Sequence, residues 1–218
     1  MATIERRSPV AFPVRAVRST KIGHWTVVQQ YTNEGEGPWL IDLSHHPRWD
    51  LQDADIRRCK PFPVNVPVDP GTCTLDRGLL VNRMNRTQCS IWHLLGDTPQ
   101  PPADPVCTET TDATALMALA GGKVFAITEK LTNLDLTDPG PKPPFLLQGP
   151  FCHVACQLVI AQRRDLDGTL LLACSRGYGQ DMAHAILQAG EEFDLRPAGE
   201  DQWRNLLKQI QNERSERF

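Results

Sequence analysis

The chain has 218 residues, 40% of them hydrophobic and 22% charged, with a formal net charge of −3 at pH 7. Such a composition is ordinary for a globular protein, and the length can bury a real core in one large domain or two small ones. A pI near 6.1 and scattered basic residues give no nucleic-acid footprint, and no apolar run approaches the roughly 20 residues of a membrane span.

The N-terminus, "MATIERRSPVAFPVRAV", lacks the apolar core of a secretory signal, so a cytoplasmic location is expected. "GHWTVVQQY" (23–31) then reads as a strand rich in β-formers, "TNEGEG" as a turn and "PWLIDL" (38–43) as a second strand. The polar stretch "SHHPRWDLQDADI" (44–56) follows, with adjacent His45 and His46 among several acids. The run "CKPFPVNVPVDPGTC" (59–73) holds too many prolines for a helix or a central strand. "GLLVNRM" (78–84) predicts a strand. "TQCSIWHLLGD" (87–97) predicts a short helix, with Ile91, Leu94 and Leu95 at helical spacing and Gly96 as its stop.

"TPQPPADP" (98–105) is the natural linker. Beyond it, "TALMAL" (114–119) predicts an apolar strand, and "GGKVFAITEKL" (121–131) a helix carrying Val124, Ile127 and Leu131 on one side. After a proline cluster, "FCHVACQLVIAQ" and "GTLLLACS" predict paired strands joined at "RRDLDG" (163–168). "QDMAHAILQAG" (180–190) predicts a helix stopped at Gly190. The tail "EDQWRNLLKQIQNERSERF" predicts another, with Trp203, Leu206, Leu207 and Ile210 as its docking stripe.

The seven cysteines are an odd number at irregular spacing, which argues against a disulfide framework. Cys152, Val154, Cys156, Leu158 and Ile160 fall on one face of an extended chain, so these thiols are expected in the core. No metal site is expected at His45 and His46 either, since adjacent residues of an extended strand point to opposite sides.

The order of elements before the linker recurs after it. "SHHPRWDLQDADI" aligns without a gap on "DATALMALAGGKV", placing Leu51 on Leu119 and Ile56 on Val124. "LLVNRMNRTQCSIWHLLG" then parallels "LLLACSRGYGQDMAHAILQAG", with Arg83 matching Arg176. The fold class expected is therefore α+β, with pseudo-duplicated antiparallel sheets and helices packed on one face. The corresponding division is an N-terminal extension at 1–20, a first repeat unit at 21–97, the linker at 98–105 and a second unit with the C-terminal helix at 106–218. Both units form one domain.

These segments carry a family likeness. "GPWLIDLSHHPRWDLQDADI", "GLLVNRM", "TDATALMALAGGKVFAITEKL" and "AGEEFDLRPAGEDQW" together resemble the folate-binding domain of the glycine-cleavage T protein (aminomethyltransferase) and its relatives, including the gamma subunit of heterotetrameric sarcosine oxidase. The likeness runs from about residue 20 to 205. It implies a tetrahydrofolate site and a role in one-carbon metabolism. By position in the family pattern, Asp76 is the candidate catalytic acid and Asn82 a candidate folate-binding residue; Asp165 joins it after a one-residue shift, and Arg83 and Arg176, at matching strand ends of the two halves, are candidates to pair with the carboxylates of a folate tail.

The chain departs from that pattern in two places. The family's acidic hairpin is nearly deleted, leaving Asp76 in "CTLDRGLL", and the family's "YTGE" segment reads "RRDLDG", with Leu166 opposite the glutamate. Asp165 or Asp167 substitutes only after a one-residue shift, which turns a strand side chain to the other face. Two functions follow: a truncated, tetrahydrofolate-dependent aminomethyltransferase-like module, or a non-catalytic subunit that packs against an oxidoreductase. Partners implied by the likeness are a folate, a flavin dehydrogenase subunit or a lipoyl carrier protein.

Overall fold

A computed structural model describes residues 5–97, 99–102 and 105–215. An N-terminal hairpin pairs β1 (Ala16–Ile22) with β2 (Trp25–Tyr31). In β2 the alternate residues Trp25, Val27 and Gln29 are buried, as period two requires of a half-covered strand. Next come β3 (Trp39–Asp42), β4 (Arg48–Gln52), a 3-10 turn at Ile56–Arg58, β5 (Cys73–Asp76), β6 (Leu79–Arg83), β7 (Gln88–His93) and β8 (Cys107–Glu109). The chain continues through β9 (Thr114–Gly121), α1 (Val124–Thr128), β10 (Phe145–Phe151), β11 (Val154–Arg164), β12 (Asp167–Ser175), α2 (Gly179–Gly190), β13 (Arg196–Ala198) and α3 (Glu200–Ser215).

Two larger sheets carry the core. The large sheet runs β10-β11-β12-β9-β3-β13 and the small sheet β5-β6-β7-β4-β8. All pairs are antiparallel except β13 with β3. The halves exchange strands. β3, from the first half, lies between β9 and β13, whereas β8, from beyond the expected linker, pairs with β4. The linker expected at 98–105 and the N-terminal extension at 1–20 lie partly outside the described residues.

The large sheet is covered on both faces, so its central strands read as continuous apolar runs. Ala115, Met117 and Leu119 of β9 join Leu170 and Leu172 of β12 against Val124, Phe125 and Ile127 of α1 and Met182, Ala183 and Ile186 of α2. Cys156, Leu158 and Ile160 share that face, with Cys152 and Val154 packed at its margin, as the strand period predicts. The opposite face offers small side chains, Ala118, Ala120, Ala161 and Ala173, against Trp203, Leu206, Leu207 and Ile210 of α3. Helices therefore sit on both faces of this sheet, which corrects the expectation of one. Each face of a fully buried strand needs its own cover.

Residues 87–97 are a second correction. Gln88–His93 form strand β7, hydrogen-bonded to β4 and β6, and no helix is present there. Cys89 and Ile91 pack beneath the proline-rich loop with Ile56 and Val64, while Trp92 and Leu94 face the large sheet. A short run buried on both sides has no period of its own, and the helical spacing of Ile91, Leu94 and Leu95 is accidental. The alignment of this segment with residues 170–190 fails for the same reason, because its partner ends in helix α2. Among the described residues no helix is long and apolar enough to cross a membrane.

Candidate functional site

After β3 the chain turns sharply through residues 43–47. The Asp42 carboxylate starts the turn, accepting the Ser44 N–H (2.9 Å) and the Ser8 hydroxyl (2.5 Å). The Ser44 hydroxyl in turn accepts the Leu116 N–H at 3.2 Å. Arg48, only 1% exposed, closes the turn from inside. Its guanidinium donates to the carbonyls of His46 (2.7 Å), Ser44 (3.2 Å), Thr111 (2.6 Å) and Thr114 (2.8 Å), and to the Thr114 hydroxyl (2.9 Å). Burial lowers its pKa to about 10, against the pull of nearby Asp42. Burial likewise raises the Asp42 carboxyl above its ordinary value, outweighing its bonds to Ser8 and Ser44 and the charge of Arg48.

Because residues 44–46 turn, the premise that His45 and His46 diverge does not hold. Their ring centroids lie 4.3 Å apart. Both Nε2 atoms approach the same Glu200 Oε2, His46 at 3.0 Å and His45 at 3.5 Å. His46 Nδ1–H donates to the His93 carbonyl at 3.0 Å. Glu200 opens α3, is 1% exposed, and its Oε1 accepts Arg204 Nε at 3.3 Å. Burial, followed by the neighbouring His46, Arg48 and Arg204, holds the His45 imidazole well below its usual pKa, hence neutral. His45 also lines a cavity of about 290 Å³ walled by Arg6, His24, Trp25, Trp49, Asp97 and Glu109.

Sequence reasoning missed Glu200 and Arg48. Glu200 is 154 residues from His46, and no local spacing joins them. The one available signal was the Glu-Asp pair opening an amphipathic helix, which reads equally well as a helix start.

The five candidate residues named from the sequence lie elsewhere. Asp76 ends the edge strand β5 at a tight turn in which Arg77 and Gly78 both have positive φ, and its carboxylate faces Arg77 Nε at 3.4 Å. Asn82 is fully buried between the sheets, where Nδ2 donates to Ser90 Oγ (3.2 Å) and Ser90 donates on to Gln157 Oε1 (2.6 Å). Its Oδ1 has no partner. Arg83, next along β6, points to the other face and donates to the Arg86 carbonyl at 2.5 Å. Asp165 is exposed in the β11–β12 turn, while Asp167 Oδ1 accepts the Lys123 N–H at 3.0 Å. Arg176 follows β12, donates to the Arg7 carbonyl and lies 5.9 Å from the Trp25 ring centroid. Asn82 and Arg83 are chain neighbours; none of the five lines a described cavity.

The strand orders and their flanking helices define an α+β domain of the aminomethyltransferase-like fold. In particular, the chain is similar to one in the heterotetrameric sarcosine oxidase of Corynebacterium sp. U-96 in complex with pyrrole 2-carboxylate, with a TM-score of 0.60 and 12% identity, covering 71% of this chain and 84% of that one. It is also similar to the glycine cleavage system aminomethyltransferase T of Bartonella henselae, with a TM-score of 0.56 and 11% identity, covering 84% of this chain and 56% of that one. At these identities the likeness is one of fold, and the chain spans little more than half of the aminomethyltransferase. No protein-family model and no curated protein matches the sequence.

Proposed function

We propose that this chain is a non-catalytic subunit that packs against an oxidoreductase partner, of the flavin dehydrogenase class. One observation carries the reading: the residues placed to act on folate are engaged in internal bonds or scattered over the surface. Asp76 and Asp165 sit at separate turns, Arg83 is tied to Arg86, and Arg176 is tied to the N-terminal segment. The likeness to a chain of a heterotetrameric oxidase, over 84% of that chain, supports it. The same reading takes the two sheets as a duplicated unit within one domain, since β5-β6-β7-β4 and β10-β11-β12-β9 follow one order.

Two measurements test the proposal. Mixed with candidate flavin dehydrogenase subunits from the same genome, the chain is expected to co-elute with one of them from a sizing column as a stoichiometric complex. Titrated with tetrahydrofolate or its 5-formyl form to millimolar concentration, it is expected to show no shift in melting temperature. A saturable shift without complex formation overturns the reading.

That outcome would instead favour a tetrahydrofolate-binding module of one-carbon metabolism. A single observation speaks for this second reading: the buried Asn82 Oδ1, an acceptor without a donor, lies between the sheets. An orphaned acceptor in an interior suits a ligand N–H.

A further inference from the structure

The cluster of His45, His46 and Glu200 has no part in the packing role proposed above, and its chemistry is specific. Adjacent histidines converge on one carboxylate oxygen, and one ligand atom from each of the three side chains lies within 4.8 Å of the other two. The two contacts to Glu200 Oε2 are 3.0 and 3.5 Å. Ligand atoms bound to a tetrahedral zinc at about 2.0–2.1 Å are roughly 3.3 Å apart. Small side-chain rotations would bring the three to such a centre.

The surrounding bonds fix which atoms face inward. The His93 carbonyl can only accept, so His46 Nδ1 carries a hydrogen and Nε2 is the atom presented to the carboxylate. Backbone carbonyl to imidazole to cation is the outer-shell arrangement that orients metal-ligating histidines. His45 Nε2 is buried in a side chain only 6% exposed, aims at the same oxygen, and has no hydrogen-bond partner. Glu200 is held on its far side by Arg204. Three potential ligand atoms thus converge on one buried point, an arrangement that a bound cation satisfies.

We propose that His45, His46 and Glu200 form a three-ligand site for a divalent transition cation, zinc foremost, with its fourth position toward the cavity lined by His45, Trp25 and Trp49. Two imidazoles and one carboxylate suit zinc, and the donor set disfavours magnesium and calcium, which take oxygen. Three protein ligands beside a cavity leave a position for water or a small anionic ligand. A buried histidine–carboxylate pair sharing only a proton would keep the same neighbours, so metal binding itself must be measured.

The full chain is stripped with a chelator and titrated with cobalt(II) in excess magnesium, with visible absorption as the readout. One cobalt per chain is expected, with the intense d–d bands of a tetrahedral nitrogen–oxygen site, displaced by one equivalent of zinc. Glu200→Gln, which preserves shape and hydrogen bonding, and His45→Asn are each expected to weaken binding by at least about tenfold while the circular dichroism spectrum is unchanged. Absence of stoichiometric tetrahedral cobalt in the folded wild-type chain overturns the proposal, as does unaltered binding in both variants. Should both variants fail to fold, the wild-type spectrum alone decides.

Discussion

The small and large sheets share one strand order but are filled with different chemistry. In the large sheet, β9, β11 and β12 bury Leu116, Leu119, Leu158, Val159, Ile160 and Leu170–Leu172, with Thr169 the buried polar residue on β12. In the small sheet, β4, β6 and β7 bury Arg48, Asn82, Arg83, Ser90 and His93. The two sheets are also covered differently. Helices α1, α2 and α3 seal both faces of the large sheet, whereas the outer face of the small sheet lies under the proline-rich loop, with Ile56 and Val64 as its buried contacts. Among the polar side chains, Asn82 and Ser90 face the large sheet, where Ser90 bonds to Gln157, and Arg48 stands opposite Trp92, which packs there too. Apolar burial holds the large sheet; in the small one, buried polar groups such as Arg48 and Ser90 add hydrogen bonds to an apolar core that it partly shares with the large sheet.

The sharpest way to break that contrast is to remove the polar joint. Arg48→Met fills similar space but leaves the carbonyls of His46, Ser44, Thr111 and Thr114 without their guanidinium donor. A loss on the order of 4 kcal/mol is expected by urea denaturation. A loss below about 1 kcal/mol would show that the joint contributes little. Next in size is a matched pair, Leu119→Ala in the large sheet and Leu51→Ala in the small one, both almost fully buried. Leu119 stands in a core clamped by helices, so its cavity cannot collapse, and about 3–4 kcal/mol is expected. Leu51 packs in the small cluster beneath the loop, which can relax, and about 2 kcal/mol is expected. Equal losses would mean that loop and helix confine their strands alike.

This contrast also explains what the sequence revealed. Helices α2 and α3 were legible because each has one apolar face with a single partner, and β9 because an unbroken apolar run carries no competing helical spacing. Strand β7 was not, because Cys89 and Trp92 are buried on opposite sides by different layers. Asp42, Ser44 and His45 were visible as a family pattern, yet their partners Ser8, Leu116 and Glu200 come from distant segments. Tertiary turns decide where such side chains point, and a reading that treated 44–46 as extended sent the histidines apart.

Between the sheets, Asn82 tests whether interior polarity is needed at all. Asn82→Leu removes the unpartnered Oδ1 along with the bond to Ser90, while Ser90 keeps its bond to Gln157. Stability is expected to change by less than about 1 kcal/mol in either direction, since an orphaned acceptor and a modest hydrogen bond offset one another. A loss of several kcal/mol in thermal and urea melts would mark Asn82 as a keystone of the small sheet.

The smallest effect is a dependence on pH at the point where β3 leaves the large sheet for the turn. Burial raises the Asp42 carboxyl above 3.8 in the folded chain. The folded state therefore binds this proton more tightly than the unfolded state, and the associated stability declines as pH rises from 3.8 through the folded value. Asp42→Asn is neutral throughout, keeps Oδ1 as acceptor for the Ser44 N–H, and offers Nδ2 to the Ser8 hydroxyl. The melting temperature of the variant minus that of the wild type is expected to rise from acid to neutral pH. A difference that stays flat or falls would mean that Ser8, Ser44 and Arg48 outweigh burial, making the turn a joint stabilised by ionisation of Asp42.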